Sequence, residues 1–423
     1  MQVSQERYMS SIFGSFHRPL LRLGALALAA IIPMTTVVAQ TQKPQGQPIR
    51  IGEINSYTGG SAFTLPYKKG IELAVQEVNA KGGVLGRPLE VVYRDDSLSP
   101  ADAVKAANDL VLDEKVDLLM GGFSSSVGLA LDDFATRQKK LYVATEPLTD
   151  DLVWKNGSKY VFRMRTSIYM LTAMVVKEAA ANPAKRWATV SPNFEGGQAF
   201  VREFKKQLSA LRPDIVWVGE QWPAPNKLDA GPTVDALERM NPEAILNVTY
   251  GPDLLRFVRE GNTRGLFKNK FVVSVLSGEP EYLAPLKEET PEGWLTTGYV
   301  IDDPRPEHVA FRKAYEKKYG DTPRFGSLIG YMSVQAIAQA IAKAGSTDTE
   351  KMVSALQGLQ FQSPMGKVTI RAADHQATTG AWVGTLAQKD GKGYMANWKF
   401  LDGAGFLPSE ADASKLRPAT AGQ

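Results

Sequence analysis

The sequence predicts an α/β protein built as two successive series of strands and helices, and three observations carry that expectation. From Pro48 onward, short β-rich runs alternate with helical patterns, the mark of a parallel sheet covered on both faces. The alternation restarts near Thr166. Beyond about residue 300 it gives way to consecutive helices and late strands, as expected if returning chain completes the two sheets. The 423 residues also suit two domains better than one.

In the first series, Ile49 to Ile54 is a strand that opens into a loop, Asn55 to Ala62. Ile71, Ala74, Val75 and Val78 then fall at helical spacing, and Lys81-Gly82-Gly83 ends that helix with a basic last turn and glycines. Leu89 to Arg94 is the next strand. Ser99-Pro100-Ala101-Asp102 opens a helix with a capping serine, a first-turn proline and a first-turn acid. The most informative stretch follows. The apolar run Val116 to Met120 ends in Gly121-Gly122-Phe123 and three serines, Ser124 to Ser126, before a helix with Val127, Leu129, Ala130, Leu131 and Phe134 on its apolar side. A buried strand that opens through glycines into a serine-rich helix start outlines an anion site. Backbone, hydroxyls and the helix N-terminus can all meet a ligand there. A serine cap after a tight turn explains the same residues. Leu141 to Thr145 is another strand, ending at Glu146-Pro147.

The second series has strands at Trp187 to Val190, Ile215 to Val218, Ala244 to Thr249 and Phe271 to Leu276. Helical patterns at Tyr169 to Ala180, Gly197 to Leu211, Thr233 to Met240 and Leu254 to Gly265 separate them. Trp294 to Val300 is a strand leading into helices at Glu307 to Tyr319, Ser327 to Ala344 and Thr349 to Leu356. Lys367 to Ile370, Trp382 to Leu386 and Tyr394 to Phe400 read as late antiparallel strands.

At the N-terminus, Arg18 and Arg22 precede an apolar run from Leu23 to Val38, and Val37-Val38-Ala39 is a small-residue cleavage pattern. Residues 1–39 therefore read as a signal peptide. An uncleaved anchor is the rival, but the run is short for a span and contains Pro33. Residues 40–48 read as a polar linker and 406–423 as a flexible tail. No cysteine is present, so export proceeds without disulfides, which suits a bacterial periplasm. Beyond residue 39 the chain holds 46 basic and 44 acidic residues, a net +2, with no basic tract, which argues against nucleic acid.

Several catalytic chemistries find no residues here. The chain beyond residue 39 has two histidines, His308 and His375, both expected at the surface. Without cysteine, a Cys/His zinc site or a thiol nucleophile has no ligands. Gly366-Lys367 lacks the rest of a phosphate loop, and neither a nucleophile elbow nor a dinucleotide fingerprint occurs. The pairs Asp95-Asp96 and Asp132-Asp133 read as solvated or capping acids. Binding is expected rather than catalysis, with no metal and no cofactor.

Five stretches together resemble one family. They are Ile51 to Ile54 with Thr58-Gly59-Gly60, Gly70 to Val78, Asn79-Ala80-Lys81-Gly82-Gly83-Val84-Leu85-Gly86, Arg94-Asp95-Asp96, and Gly121 to Ser126. In order and spacing they look like the branched-chain amino-acid-binding proteins of bacterial ABC importers, which are type I periplasmic binding proteins. The resemblance implies two Rossmann-like lobes, residues 49–166 with 298–360 and residues 167–297 with 361–405. Three crossovers would join them near Arg165-Thr166, Thr297-Gly298 and Gln360-Phe361, with a ligand cleft between. It also implies a monomer that hands a small molecule to a transporter permease. A ligand-sensing receptor subunit is the competing role.

Carried onto this chain, the family's ligand contacts fall on Gly122 and Ser124 for the polar head, with Phe63, Phe194 and Tyr250 as aromatic neighbours. A core role fits Phe63 almost as well. Two departures stand out. Glu146 replaces a small residue, and Leu148 stands where the family has a threonine. Glu146 could hold an ammonium group or pair with Arg163 or Arg165. The second-lobe acid is expected near Ser277, with Glu279 as the candidate. These departures open the ligand to another amino acid, an amide or a carboxylate.

Overall fold

A computed structural model describes residues 43–418. The first sheet is wholly parallel, in the order β2-β1-β3-β4-β5: β1 Ile49–Asn55, β2 Leu89–Asp95, β3 Leu118–Gly121, β4 Tyr142–Ala144 and β5 Val161–Arg163. Helices α1 (Ser61–Ala80), α2 (Pro100–Leu112) and α3 (Ser125–Gln138) connect its strands. The second sheet runs β14-β13-β10-β9-β8-β6-β7. Its parallel part is β6 Arg186–Val190, β7 Val216–Gln221, β8 Ala244–Asn247, β9 Phe271–Gly278 and β10 Leu295–Gly298. Of the last two strands, β13 Ala381–Lys389 adds antiparallel to β10 and β14 Lys392–Leu401 antiparallel to β13 at the edge. Helices α4 (Ile168–Ala181), α5 (Glu195–Leu211), α6 (Ala230–Met240), α7 (Gly251–Arg264) and the short α8 (Pro280–Leu283) belong to this lobe.

Chain beyond β10 returns to the first lobe as α9 (Pro306–Tyr319), α10 (Phe325–Ala344) and α11 (Thr349–Leu356). Helix α10 is long and apolar enough to cross a membrane, but it is a core helix. Its Gly326 and Gly330 lie against the Phe63 and Tyr67 carbonyls of α1, and Gly70 of α1 lies against the Ser327 carbonyl. A Cβ at any of the three would strike backbone, so glycine lets the two helices approach this closely.

Local signals behave as their chemistry requires. Ser99 caps α2 by accepting from the Asp102 N–H at 3.2 Å, with Pro100 next. Gly82 and Gly83, with φ of 100° and 72°, stop α1 after Lys81.

Several expectations are corrected. Strand β5 was not anticipated, because three residues carry too little pattern to register. The third crossing falls at Thr378 to Gly380 rather than at Gln360-Phe361. The hairpin β11 (Gln360–Ser363) and β12 (Gly366–Thr369) is followed by a segment that pairs with β5, through Arg163 N–H to the His375 carbonyl at 3.0 Å and Ala377 N–H to the Arg163 carbonyl at 2.9 Å. Thr166 ties the first crossing to the third, donating to the Thr379 and Gly380 carbonyls at 2.9 and 2.8 Å.

The expected tail instead forms α12 (Glu410–Lys415), with Ala413 buried. Arg417 then donates to the Val153 and Ser158 carbonyls at 3.0 and 3.1 Å. The chain thus runs from β14 in the second lobe back onto the first. Residues 419–423 and the leader reading for 1–39 lie outside the described residues.

Both histidines are buried, not surface. His308 hydrogen-bonds the Tyr299 hydroxyl at 2.8 Å, and His375 stacks on Phe162 with ring centroids 4.0 Å apart. Burial lowers each to about 4, so both are neutral imidazoles in a core. In the acid pairs, Asp95 and Asp133 are exposed as expected, whereas Asp96 and Asp132 are buried.

Candidate functional site

The cleft lies where strand ends of both sheets face each other, and three helix starts converge on it. On the first lobe β3 ends in Gly121 and Gly122, with φ of 112° and 81°. The Gly122 N–H donates to the Ile54 carbonyl at 2.7 Å. Only glycine accepts that turn cheaply, and it delivers Phe123, Ser124 and Ser125 to the cleft. Ser124 is the cap of α3, accepting from the Val127 N–H at 3.3 Å. This serine thus caps the helix and also stands in the cavity lining.

On the second lobe α5 follows Phe194 and α7 follows Tyr250, and neither helix start is capped by a side chain. Gly196 and Gly197 of the first turn of α5 line the cavity with bare backbone. Uncapped N–H groups at a helix start favour a negatively charged or carbonyl oxygen. Phe200, Val248, Leu276 and Tyr282 complete the apolar side of a space of about 530 Å³, counted with the solvent at its mouth. Phe194, Tyr250 and Tyr282 form a continuous aromatic wall, with centroid separations of 6.2 and 5.9 Å.

The lobes touch across the cleft. The Thr149 hydroxyl donates to the Glu195 carboxylate at 2.7 Å, and a Cβ built on Gly196 would lie 2.9 Å from the Ser125 hydroxyl. This is a closed arrangement.

Glu146 lines the cavity from the end of β4 and is fully buried. One carboxylate oxygen accepts from Asn55 Nδ2 at 2.6 Å, and the other has no partner among the described residues. Neither Arg163 nor Arg165 pairs with it. Arg163 turns to Asp150, Gln376 and the Leu148 and Thr149 carbonyls, and Arg165 forms a buried ion pair with Glu279. Burial pushes the Glu146 carboxyl well above the usual range, against the pull of its Asn55 hydrogen bond.

Of the residues expected at the site, Ser124, Glu146, Leu148, Phe194 and Tyr250 line this cavity. Four do not. Phe63 is a core aromatic behind Phe123, 5.8 Å away between centroids, and Phe123 takes the wall position. Gly122 stands behind the lining, against Tyr142 and Pro147. Ser277 turns to the Ser274 hydroxyl, and Glu279 to Arg165. The cause of the last two is Leu276, whose φ of 67° is left-handed and re-aims the end of β9. Leu276 and Tyr282 face the cavity instead.

Phe123 and Ser125 belong to the glycine–serine stretch singled out in the sequence but were not expected as contacts, and Gly196 and Gly197 follow shortly after Phe194. Phe200 sits one helical turn from Gly196 and Gly197, and Arg165, expected at the first crossover or as a partner for Glu146, lines the cavity as well. Val248, Leu276 and Tyr282 carry no signal in the sequence. Among the described residues no cluster of His, Asp and Glu is arranged to hold a metal ion.

Comparison with known proteins bears on the family and the fold. A family model described as periplasmic binding protein matches residues 48–392. A Leu/Ile/Val-binding protein homolog of Brucella suis is 25% identical over 339 residues, covering 76% of this chain and 83% of the relative. An ABC transporter solute-binding protein of Rhodopseudomonas palustris, solved with p-hydroxybenzoic acid, superposes with a TM-score of 0.77 at 23% identity, covering 87% of this chain and 100% of the other. A leucine-binding protein of Thermotoga maritima gives 0.73 at 24% identity, covering 83% and 98%. With two lobes, a cleft at the strand ends and a family match over most of its length, the chain belongs to the periplasmic binding protein family.

Proposed function

We propose that this protein is the periplasmic solute receptor of an ABC importer, and that it captures an α-amino acid by closing its lobes. One observation carries the choice of ligand: the cavity lining holds a fully buried carboxyl, Glu146, with one oxygen unpartnered among the described residues, beside hydroxyls, helix starts and an arginine already paired with Glu279. The ammonium group would seat on Glu146. The carboxylate would meet Ser124, Ser125 and the first turn of α5, and the side chain would lie on the aromatic wall. Receptor duty rather than catalysis suits a site whose acidic and basic side chains are a lone carboxyl and an arginine already engaged by Glu279. The apolar run with a small-residue cleavage pattern before residue 40 supports export to the periplasm.

A second reading, a receptor for an aromatic carboxylate, is favoured by the ring count of the lining: Phe123, Phe194, Phe200, Tyr250 and Tyr282. In that case Glu146 stays protonated and donates to the ligand. Calorimetry on wild type and Glu146→Gln, with L-leucine and L-phenylalanine against their deaminated acids, separates the two. The amino-acid reading expects the substitution to weaken the amino acids by roughly ten- to a hundred-fold and to spare the acids. Equal affinity of the variant for the amino acids would make Glu146 structural.

A further inference from the structure

One polar contact joins the two lobes without lining the cavity. The Thr149 hydroxyl, on the loop after β4, donates at 2.7 Å to the carboxylate of Glu195 in the first turn of α5. Neither residue belongs to the lining, yet Leu148 before Thr149 does, and so do Phe194 and Gly196 on either side of Glu195. The two segments that would hold a solute therefore also hold each other.

Thr149 is set in place from its own side. Arg163, fully buried on β5, donates to the Leu148 and Thr149 carbonyls and pairs with the Asp150 carboxylate at 3.5 Å. Asp150 and the Leu148 carbonyl accept in turn from the Tyr169 and Ile168 N–H groups, at 2.9 and 3.0 Å. Those two residues follow directly on the first crossing, so the anchors sit beside the pivot and move little when the lobes rotate about it. Thr149 is itself fully buried, and its hydroxyl also accepts from the Asp151 N–H at 3.3 Å. Its side chain is thus already ordered on the first lobe, and little freedom is lost when Glu195 arrives.

Glu195 is the demanding partner. Closure takes its carboxylate out of water, where one oxygen meets Thr149 and the other is buried with no partner among the described residues. A half-satisfied buried acid is unfavourable, and without the Thr149 hydroxyl it would be wholly unpaired in the closed form yet hydrated in the open one. That hydroxyl accordingly decides whether the closed form tolerates Glu195.

We infer that Thr149 and Glu195 form a closure latch, a contact outside the ligand site that sets how readily the lobes shut, by the same factor for every solute. The latch rests on the receptor reading above, in which the lobes close on a solute, and not on which solute that is. Thr149 is a positioning residue here, because it acts on the ligand only through the lobe that it holds. The affinity of a closing receptor includes the equilibrium between its open and shut forms, so a shift in that equilibrium rescales all affinities together.

Thr149→Val keeps the shape and removes the hydroxyl. By calorimetry it should weaken L-leucine, L-phenylalanine and their deaminated acids by one common factor, for whichever of them wild type binds. That factor is roughly ten- to a hundred-fold, the worth of a hydrogen bond to a charged group. Thr149→Ser should bind as wild type does. In a Glu195→Ala background, Thr149→Val should change affinity by less than about twofold, since the partner is already gone. A merely structural Thr149 would cost as much there as in wild type. Wild-type affinity in Thr149→Val, an equal loss in both backgrounds, or a loss confined to one ligand would each overturn the latch.

If none of these compounds binds, the choice of ligand fails, and the empty protein decides the latch. The chain holds no cysteine, so spin labels attach cleanly at Gln138→Cys on α3 and Lys206→Cys on α5, both exposed. Distances between the labels should include a short, closed component that Thr149→Val reduces by roughly tenfold or more against the open one. An unchanged distribution would overturn the latch. Failure of the receptor reading shows differently, as a label distance in wild type that stays the same when solute is bound. That result would remove the reading and the latch with it.

Discussion

At Ser124 one hydroxyl has two tasks, accepting from the Val127 N–H and facing the cavity. Ser124→Ala should therefore cost on the order of 1 kcal/mol of stability through the lost cap. It should also weaken binding by roughly ten- to a hundred-fold, the worth of a hydrogen bond to a charged group. Ser124→Thr should restore most of both; denaturant melts and calorimetry read the two effects separately. Gly196 makes a different demand, because a Cβ there meets the Phe194 ring and the Ser125 hydroxyl. Gly196→Ala should hold the lobes apart and weaken binding by about tenfold or more, in line with a core overpacking cost of ~1–3 kcal/mol. Unchanged affinity would mean that the helix start yields. Ser124 was legible because glycine–serine chemistry at a strand end is local. Leu276 and Tyr282 were not, since one left-handed residue decides which side chains of a loop face the cleft.

Asp132 carries a pH prediction. Burial pushes its carboxyl up to about 8, against a single hydrogen bond from Thr136. The folded state then binds a proton that the unfolded chain has already lost above its ordinary acid range. Stability from this group accordingly falls as pH rises from about 4 to about 8 and is flat beyond. Asp132→Asn should stabilise the protein increasingly across that window, by thermal melts. A constant difference at all pH values would show that Asp132 ionises freely in the fold.

Among the elements, strands and helices with a strong period were readable in order, down to α11 at Thr349–Leu356. What escaped was pairing at a distance. Nothing near His375 or Gln376 announces that they lie beside β5, and nothing in a small, polar C-terminal segment announces an anchor. That anchor is testable. Arg417 holds two carbonyls of the turn before β5. Arg417→Ala should lower stability by about 1–3 kcal/mol, seen as a lower denaturant midpoint at unchanged slope. It should also speed hydrogen exchange around Val153 to Ser158. An unaltered midpoint would make the segment a passive appendage.

On the scale of the whole molecule, two lobes meet through crossings pinned together by Thr166, and the closed cleft adds Thr149 to Glu195 across the gap. The buried Arg165–Glu279 pair joins the first crossing to the second lobe's loop after β9. Breaking one partner of such a pair is costly, so it marks a fixed pivot rather than a moving latch. The two-lobe plan was legible because the α/β alternation restarts near Thr166. The exact third crossing was not, because a hairpin and a returning segment look alike before they pair. A tight ligand held between the lobes would stabilise the closed cleft by ~4 kcal/mol at a thousand-fold excess over Kd. Small-angle scattering with and without the tightest-binding amino acid tests that claim most directly. A two-lobed receptor that closes on its solute shows a smaller radius of gyration at saturation. An identical profile with the site demonstrably filled would contradict it.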